Sequence, residues 1–171
     1  VDSLGAAYDD GSSSKEPSGT PEVEIVSADA AGQFLGDGGE LLVVDDDPVN
    51  LDLLRRRLAR QGYEVTTVDG GQEALDLVEE RNFDLVILDM MMPGINGLQV
   101  LSRLKSNPKH QAMPVIMISA LDDTDQVVEC ISLGAEDYVF KPFNPVLLKA
   151  RVGAALEKYR LREHQAQKLT V

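Results

Sequence analysis

Four charged residues lie where short apolar runs of the sequence end. Asp45 and Asp46 follow LLVV, Asp89 closes DLVILD, and Lys141 follows DYVF. Short apolar runs of this kind are typical of buried parallel strands, and open α/β sheets bind ligands at their carboxyl edge. Two carboxylates about 4 Å apart at that edge repel each other by roughly 4 kcal/mol at an effective dielectric near 20. The pattern therefore predicts a hard-metal site beside a reactive carboxylate.

The candidate ligands at this edge are all oxygen atoms. Asp46, Asp89 and a backbone carbonyl in the Pro-Gly turn that follows, that of Met91, suit Mg²⁺ with water completing its octahedral shell. Neither histidine nor cysteine lies nearby in the sequence, which disfavours zinc. Lys141 supplies a charge that can hold phosphate, and Ser119, at the end of PVIMIS, adds a hydroxyl. The set predicts transfer of a phosphoryl group onto a carboxylate oxygen.

Strands and helices are expected to alternate from Leu41 onward. Asp47 and Pro48 form a helix start, a capping acid followed by proline, and Gly62 ends that helix. The pattern predicts a doubly wound α/β fold, with a five-stranded parallel sheet in the flavodoxin-like order 2-1-3-4-5, helices on both faces and an extended C-terminal helix. Strands one and three are neighbours in that order, so the acids at their ends should meet. The expected strands are 41–44, 63–68, 84–88, 114–118 and 137–140.

The same pattern divides the chain into three segments. Residues 1–38 are expected to form a flexible tail or interdomain linker, within which 23–34 could add one strand or turn. Residues 39–156 form the predicted domain, and residues 157–171 extend its last helix. That helix carries a heptad seam, interpreted as a coiled coil that pairs two copies or leads to an output domain; the alternative is a single helix packed on its own domain. The seam consists of Leu148, Val152, Ala155, Tyr159, Arg162, Ala166 and Leu169.

Composition disfavours several classes of protein. We expect neither a membrane span nor a secretory signal, because no apolar run approaches the roughly 18 residues that a span needs. The one cysteine, Cys130, excludes a disulfide framework and indicates a core thiol in a cytoplasmic protein. The net charge of −13 argues against direct nucleic-acid binding, although residues 141–171 carry seven bases and two acids.

Four blocks of the sequence resemble a known family in their order and spacing. The blocks LLVVDDDPVN, DLVILDMMMPGINGLQVL, VIMISA and DYVFKPF are similar to those of the receiver domain of bacterial two-component response regulators, over about residues 40–156. The resemblance implies a phosphoacceptor switch that catalyses only its own phosphorylation and dephosphorylation. Its donor would be a sensor histidine kinase or a phosphotransfer protein. Its altered face, formed by helix four, strand five and helix five, would control an output domain or effector protein.

The resemblance also assigns roles to the site residues. Asp89 would be the phosphoacceptor. Asp46, Asp89 and the Met91 carbonyl would bind Mg²⁺ directly, and Asp45 would assist through water. Lys141 would contact the phosphoryl group.

Three further positions would form the switch. The Ser119 hydroxyl would move toward the phosphate, Tyr138 would rotate inward behind it, and the peptide bond before Pro142 would be cis. Apolar Met91 and Leu121 flank the site, where polar side chains would orient an attacking water. A long-lived acyl phosphate is therefore expected.

A phosphatase of the haloacid dehalogenase type is the alternative. The run DDDPV at 45–49 satisfies that family's D-x-D-x-[TV], which would make Asp45 the nucleophile, with Ser119 and Lys141 in the next two motifs. This alternative leaves Asp89 without a role. It also needs an acidic pair after the lysine that the sequence does not supply in a suitable place.

Overall fold

Strands and helices alternate along the described part of the chain. The computed structural model describes residues 38–120 and 124–169, so the predicted tail up to residue 37 and Leu121 lie outside the described residues. The strands are β1 (Glu40–Val44), β2 (Glu64–Val68), β3 (Leu85–Asp89), β4 (Val115–Ser119) and β5 (Asp137–Phe140). The helices are α1 (Pro48–Arg60), α2 (Gly71–Glu80), α3 (Gly97–Ser106), α4 (Thr124–Ser132) and α5 (Pro145–Leu169). Among these helices, none combines the length and apolar composition that crossing a membrane requires.

The five strands form one parallel sheet in the order β2-β1-β3-β4-β5, which confirms the predicted order. Every residue of β3 and β4 is buried, because helices cover both faces of a parallel sheet. In the pairing of β1 with β3, Val44 lies opposite Leu88. The residues that follow these two, Asp45 and Asp89, therefore leave the sheet side by side at its carboxyl edge.

Successive residues of each strand point into two apolar layers, as the period-two geometry of a strand requires. Leu42 and Val44 of β1 pack in the layer that contains α2, α3 and α4. Leu41 and Val43 pack in the opposite layer, which contains α1 and α5. Cys130 is fully buried in the first layer, so the expectation of a core thiol is confirmed.

Helix α1 begins and ends as the sequence predicts. Asp47 has extended backbone angles, and its Oδ1 accepts a hydrogen bond of 2.9 Å from the Val49 N–H. Pro48 occupies the first helical position, where a missing N–H costs nothing. After the helix, Gly62 has a φ of 95°, in the region that glycine adopts without strain. Asp47 is thus a helix cap, and the acids of this run that are available to the predicted metal site are its neighbours Asp45 and Asp46.

Helix α5 buries the first half of the predicted seam in its own domain. Leu148, Val152 and Ala155 all pack in the layer formed with α1. The coiled-coil interpretation is therefore wrong for these three positions, and the alternative of a helix packed on its own domain describes them. An amphipathic helix on a sheet and a coiled-coil helix share the same apolar spacing, so the pattern alone did not separate them. For residues 157–171 the coiled coil stays a prediction.

Ion pairs continue the contact between α5 and the domain beyond the apolar core. Glu136, next to the start of β5, lies 3.1 Å from Lys158 Nζ and 3.2 Å from Arg162 Nη2. One residue further on, Asp137 accepts hydrogen bonds of 2.8 and 2.7 Å from Arg151 Nη1. Isolated surface pairs contribute about 0–1 kcal/mol each. The mostly buried Glu136 carboxylate is shared by two bases of α5 and so holds this part of the helix beside the start of β5.

The packing of α5 predicts different costs for one substitution at two positions of that helix. Leu156 is 2% exposed and Leu161 is 57% exposed. We expect Leu156→Ala to lower the free energy of unfolding by roughly 2–5 kcal/mol, because it leaves a cavity. The matched control Leu161→Ala should change it by no more than about 0.5 kcal/mol. Urea unfolding followed by circular dichroism measures both, and equal losses would contradict this packing.

Candidate functional site

Three predicted acids meet at the carboxyl edge of the sheet. Asp45 and Asp46 follow β1, Asp89 is the last residue of β3, and one carboxylate oxygen from each lies within 4.8 Å of the other two. Asp45 is 1% exposed and Asp89 is 4% exposed, whereas Asp46 is open to solvent. The neighbouring positions of β1 and β3 in the sheet produce this cluster, as the sequence predicts.

Lys141 joins the two buried carboxylates. Its Nζ lies 3.1 Å from Asp45 Oδ2 and 3.4 Å from Asp89 Oδ1. Asp45 Oδ1 accepts a 2.9 Å hydrogen bond from the Asp47 N–H, while its buried Oδ2 has the ion pair but no aligned hydrogen bond. Asp89 Oδ1 accepts a long hydrogen bond of 3.4 Å from the Met91 N–H. Asp45 is therefore held more tightly than Asp89.

Burial and the excess of negative charge in the cluster shift the pKa values of Asp89 and Lys141. Burial, together with the nearby Asp45 charge, raises the pKa of Asp89 from 3.8 to about 6. Burial alone would lower the pKa of Lys141, but the Asp45 and Asp89 carboxylates outweigh it and raise that pKa. Among the described residues, the Lys141 ammonium pairs with two of the three carboxylates, so two negative charges stay uncompensated when all are ionised. A further cation at this edge would relieve the repulsion.

The donor set of the cluster fits Mg²⁺. All three side chains offer carboxylate oxygens, which this ion prefers, and soft ligands that would favour zinc are not part of the group. The buried Asp45 Oδ2, which lacks a hydrogen bond, is an acceptor that an ion or its water would satisfy. Exposed Asp46 leaves room for the waters that Mg²⁺ retains. The cluster thus brings together oxygen donors of the kind that the sequence predicted.

Ser119 and Tyr138 lie on the two strands beyond Asp89. Asp89 pairs with Ile118, so Ser119, fully buried at the end of β4, lies one residue further along the neighbouring strand. Its carbonyl accepts a 2.8 Å hydrogen bond from the Lys141 N–H. Tyr138 is buried, with its ring centroid 5.0 Å from that of Phe140. The aromatic side chain that the resemblance assigned to the switch therefore points inward in this structure.

The peptide bond between Lys141 and Pro142 is cis, as expected from the resemblance. Sequence reasoning missed one feature of this lysine, its pairing with Asp45. Lys141 follows β5, which is three strands away from β1 in the sheet, so their contact depends on the reach of the side chain. The available signal was the charge balance, because Lys141 is the one base among the predicted strand-end residues.

Comparisons with known proteins identify the family. Residues 41–153 match the family model described as the response regulator receiver domain. The DNA-binding response regulator MtrA of Mycolicibacterium smegmatis is 42% identical over 118 residues, covering 69% of this chain and 50% of that protein. The receiver domain of a signal transduction histidine kinase from Syntrophus aciditrophicus is 33% identical with a TM-score of 0.67, covering 71% of this chain and 92% of that one. A Francisella response regulator receiver domain is 32% identical with the same TM-score of 0.67, at 71% and 98% coverage.

The comparisons do not support the phosphatase alternative. That alternative made Asp45 the nucleophile, but Asp45 is held by two short contacts, 3.1 Å to Lys141 Nζ and 2.9 Å from the Asp47 N–H. The chain spans about half the length of the curated relatives it matches. The family model and the solved structures both match this part, with the same sheet and the same blocks of sequence. The chain belongs to the response regulator receiver domain family and is a receiver domain of two-component signal transduction.

Proposed function

We propose that Asp89 accepts a phosphoryl group from a sensor histidine kinase or a phosphotransfer protein, and that the chain acts as a switch and not as an enzyme on other substrates. The observation that supports this most is the unequal environment of the three acids. Asp45 accepts a 2.9 Å hydrogen bond and lies 3.1 Å from Lys141 Nζ, and Asp46 is exposed. Buried Asp89 has the same two kinds of partner at longer distances, 3.4 Å to the Met91 N–H and 3.4 Å to Lys141 Nζ. A carboxylate held loosely beside a lysine is the one best able to attack phosphorus.

In this proposal Asp46, Asp89 and the Met91 carbonyl hold Mg²⁺, and Asp45 contacts it through water. The ion would neutralise the oxygens of the incoming phosphoryl group as a Lewis acid. Lys141 stands 3.4 Å from Asp89 Oδ1 before any phosphoryl group arrives, so its charge is already in place. Because Asp89 is ionised above its pKa of about 6, it needs no general base near neutral pH.

The output of the switch is proposed to be the face formed by α4, β5 and α5. Ser119 would move toward the phosphoryl group, and buried Tyr138 would fill the space behind it. The face carries exposed apolar side chains that a partner would cover. They include Val128, Ile131, Phe140, Val146 and Leu147. We propose an output domain, an effector protein or a second copy of the chain as the partner, and the cytoplasm as the place of action.

Phosphorylation should map to one residue. We expect acetyl phosphate with Mg²⁺ to add one phosphoryl group to the wild type, because Asp89 is the proposed nucleophile, and none to Asp89→Asn. Intact-protein mass spectrometry and reductive labelling of the acyl phosphate measure the amount and the position. Omitting Mg²⁺ should abolish the addition in the wild type. A label on Asp45, or turnover of added phosphate esters, would contradict the proposal.

Asp89 should also make the metal-free fold pH-sensitive. Its pKa lies near 6 in the folded protein and at an ordinary 3.8 when unperturbed. Its contribution to stability is therefore fully present below the lower value and is lost as the pH rises through the upper one. We expect Asp89→Asn to be more stable than the wild type by about 2 kcal/mol near pH 8, and the gap to shrink toward zero near pH 4.

Urea unfolding in the presence of a chelator measures this gap at each pH. Added Mg²⁺ should narrow it at high pH by stabilising the wild type more than the variant, since the variant lacks one carboxylate ligand. A gap that widens as the pH falls would show that the sign of the Asp89 contribution is wrong.

The acyl phosphate should be long-lived because an apolar side chain flanks the site. Met91 is 60% exposed and follows Asp89 by two residues. It offers no group that would orient an attacking water. We expect a phosphate-release time course of minutes or longer for the wild type, and a rate about tenfold faster for Met91→Gln. A wild-type lifetime of seconds would contradict this expectation.

A further inference from the structure

Gly97, the first residue of α3, packs directly on the backbone that carries Asp89. A Cβ atom added to Gly97 would overlap the carbonyl oxygen of Asp89 and lie 2.8 Å from the Cα of Met90. The Gly97 N–H also donates a 3.0 Å hydrogen bond to the Met90 carbonyl. Gly97 is buried and helical, and its φ does not require glycine. Space, and not backbone conformation, excludes a side chain here.

The backbone segment that packs on Gly97, residues 89–91, supplies two parts of the proposed site. Asp89 provides the carboxylate, and two residues later Met91 provides the proposed carbonyl ligand. From these contacts we infer that Gly97 is a positioning residue. It sets how closely the backbone of residues 89–91 approaches α3, and so the distance between Asp89 and the other acids. The inference rests on the proposed function of Asp89.

Helix α3 cannot easily move away from an added side chain. Its N-terminus is closed by a capping box, in which the Gln99 N–H donates to Asn96 Oδ1 and the Asn96 N–H donates to Gln99 Oε1, both at 2.9 Å. Its inward face is part of the core through Val100, Leu101 and Leu104. A close-packed core resists such shifts. The displacement would therefore pass to Asp89, the last residue of β3, at the carboxyl edge of the sheet.

Gly71 offers a matched control. It is the first residue of α2, it is buried, and a Cβ there would lie 2.7 Å from Val100 Cγ2 and 2.9 Å from the Ile95 carbonyl oxygen. Gly71→Ala therefore overpacks the contact of α2 with α3 and with Ile95, without touching Asp89. Overpacking should destabilise both variants, whereas only Gly97→Ala should displace the site.

The test compares both variants with the wild type at a temperature at which circular dichroism shows each to be folded. Isothermal titration calorimetry measures Mg²⁺ binding to the unphosphorylated chain, and acetyl phosphate measures the phosphorylation rate. We expect Gly97→Ala to lose at least about tenfold in both quantities, and Gly71→Ala to stay within about twofold of the wild type. Wild-type Mg²⁺ binding and rate in folded Gly97→Ala, or equal losses in both variants, would overturn the inference.

If Gly97→Ala is only marginally stable, the Mg²⁺-dependent rise in Tm provides a second measurement. Gly153 in α5 has open space around it, so Gly153→Ala removes a helix-weakening glycine and can be added to every variant as a stabilising background. The rise in Tm on adding Mg²⁺ should then vanish for Gly97→Ala and persist for Gly71→Ala. A Mg²⁺-dependent rise of wild-type size in Gly97→Ala would overturn the inference. By contrast, if the wild type neither binds Mg²⁺ nor is labelled on Asp89, the result would contradict the proposed function itself.

Discussion

Repulsion between carboxylates at the edge of the sheet is the interaction on which this molecule depends. Asp45 and Asp89 are almost fully buried, and Asp46 lies close enough for all three to share one ion. Within the described part of the chain, Lys141, just past the end of β5, is the base that pairs with Asp45 and Asp89. Burial, together with the nearby Asp45 charge, raises the pKa of Asp89, and the uncompensated negative charge is the reason that a divalent cation fits. The fold thus holds the Asp89 carboxylate, the proposed phosphoacceptor, in an unfavourable charged state that a bound cation would relieve.

Strand β5 links the charge balance of the acidic cluster to both apolar layers and to the surface of the domain. Strand β5 carries Lys141 just past its carboxyl end and Asp137, paired with Arg151 of α5, at its other end. Between them, Tyr138 lies in one layer and Val139 in the opposite one. A change in the contacts of Lys141 therefore acts on a strand that touches both layers and the last helix. Strand β5 connects the acidic cluster to the proposed output face more directly than any helix does.

Sequence reasoning found the acids because a parallel sheet gathers the ends of its strands, and that rule needs no side-chain geometry. The position of β1 beside β3 followed from right-handed crossovers, so the meeting of Asp46 with Asp89 was predictable. The Lys141–Asp45 pair and the contact of Gly97 with Asp89 were not, since both depend on distances across the folded chain. The seam of α5 was assigned to a partner helix because its apolar spacing is the same whether a sheet or a helix covers it.

The burial of Leu148, Val152 and Ala155 has a consequence for anything joined to α5. These residues lock the rotation of the helix about its own axis, and each residue added along a helix turns the next by about 100°. The angular phase of every later position, including Ala166 and Leu169, is thus set by the core of this domain. Inserting or deleting one residue after Arg162 would rotate an attached domain by more than a quarter turn. The core of the domain therefore fixes the rotation of α5 about its axis, and with it the orientation of any domain joined to the end of that helix.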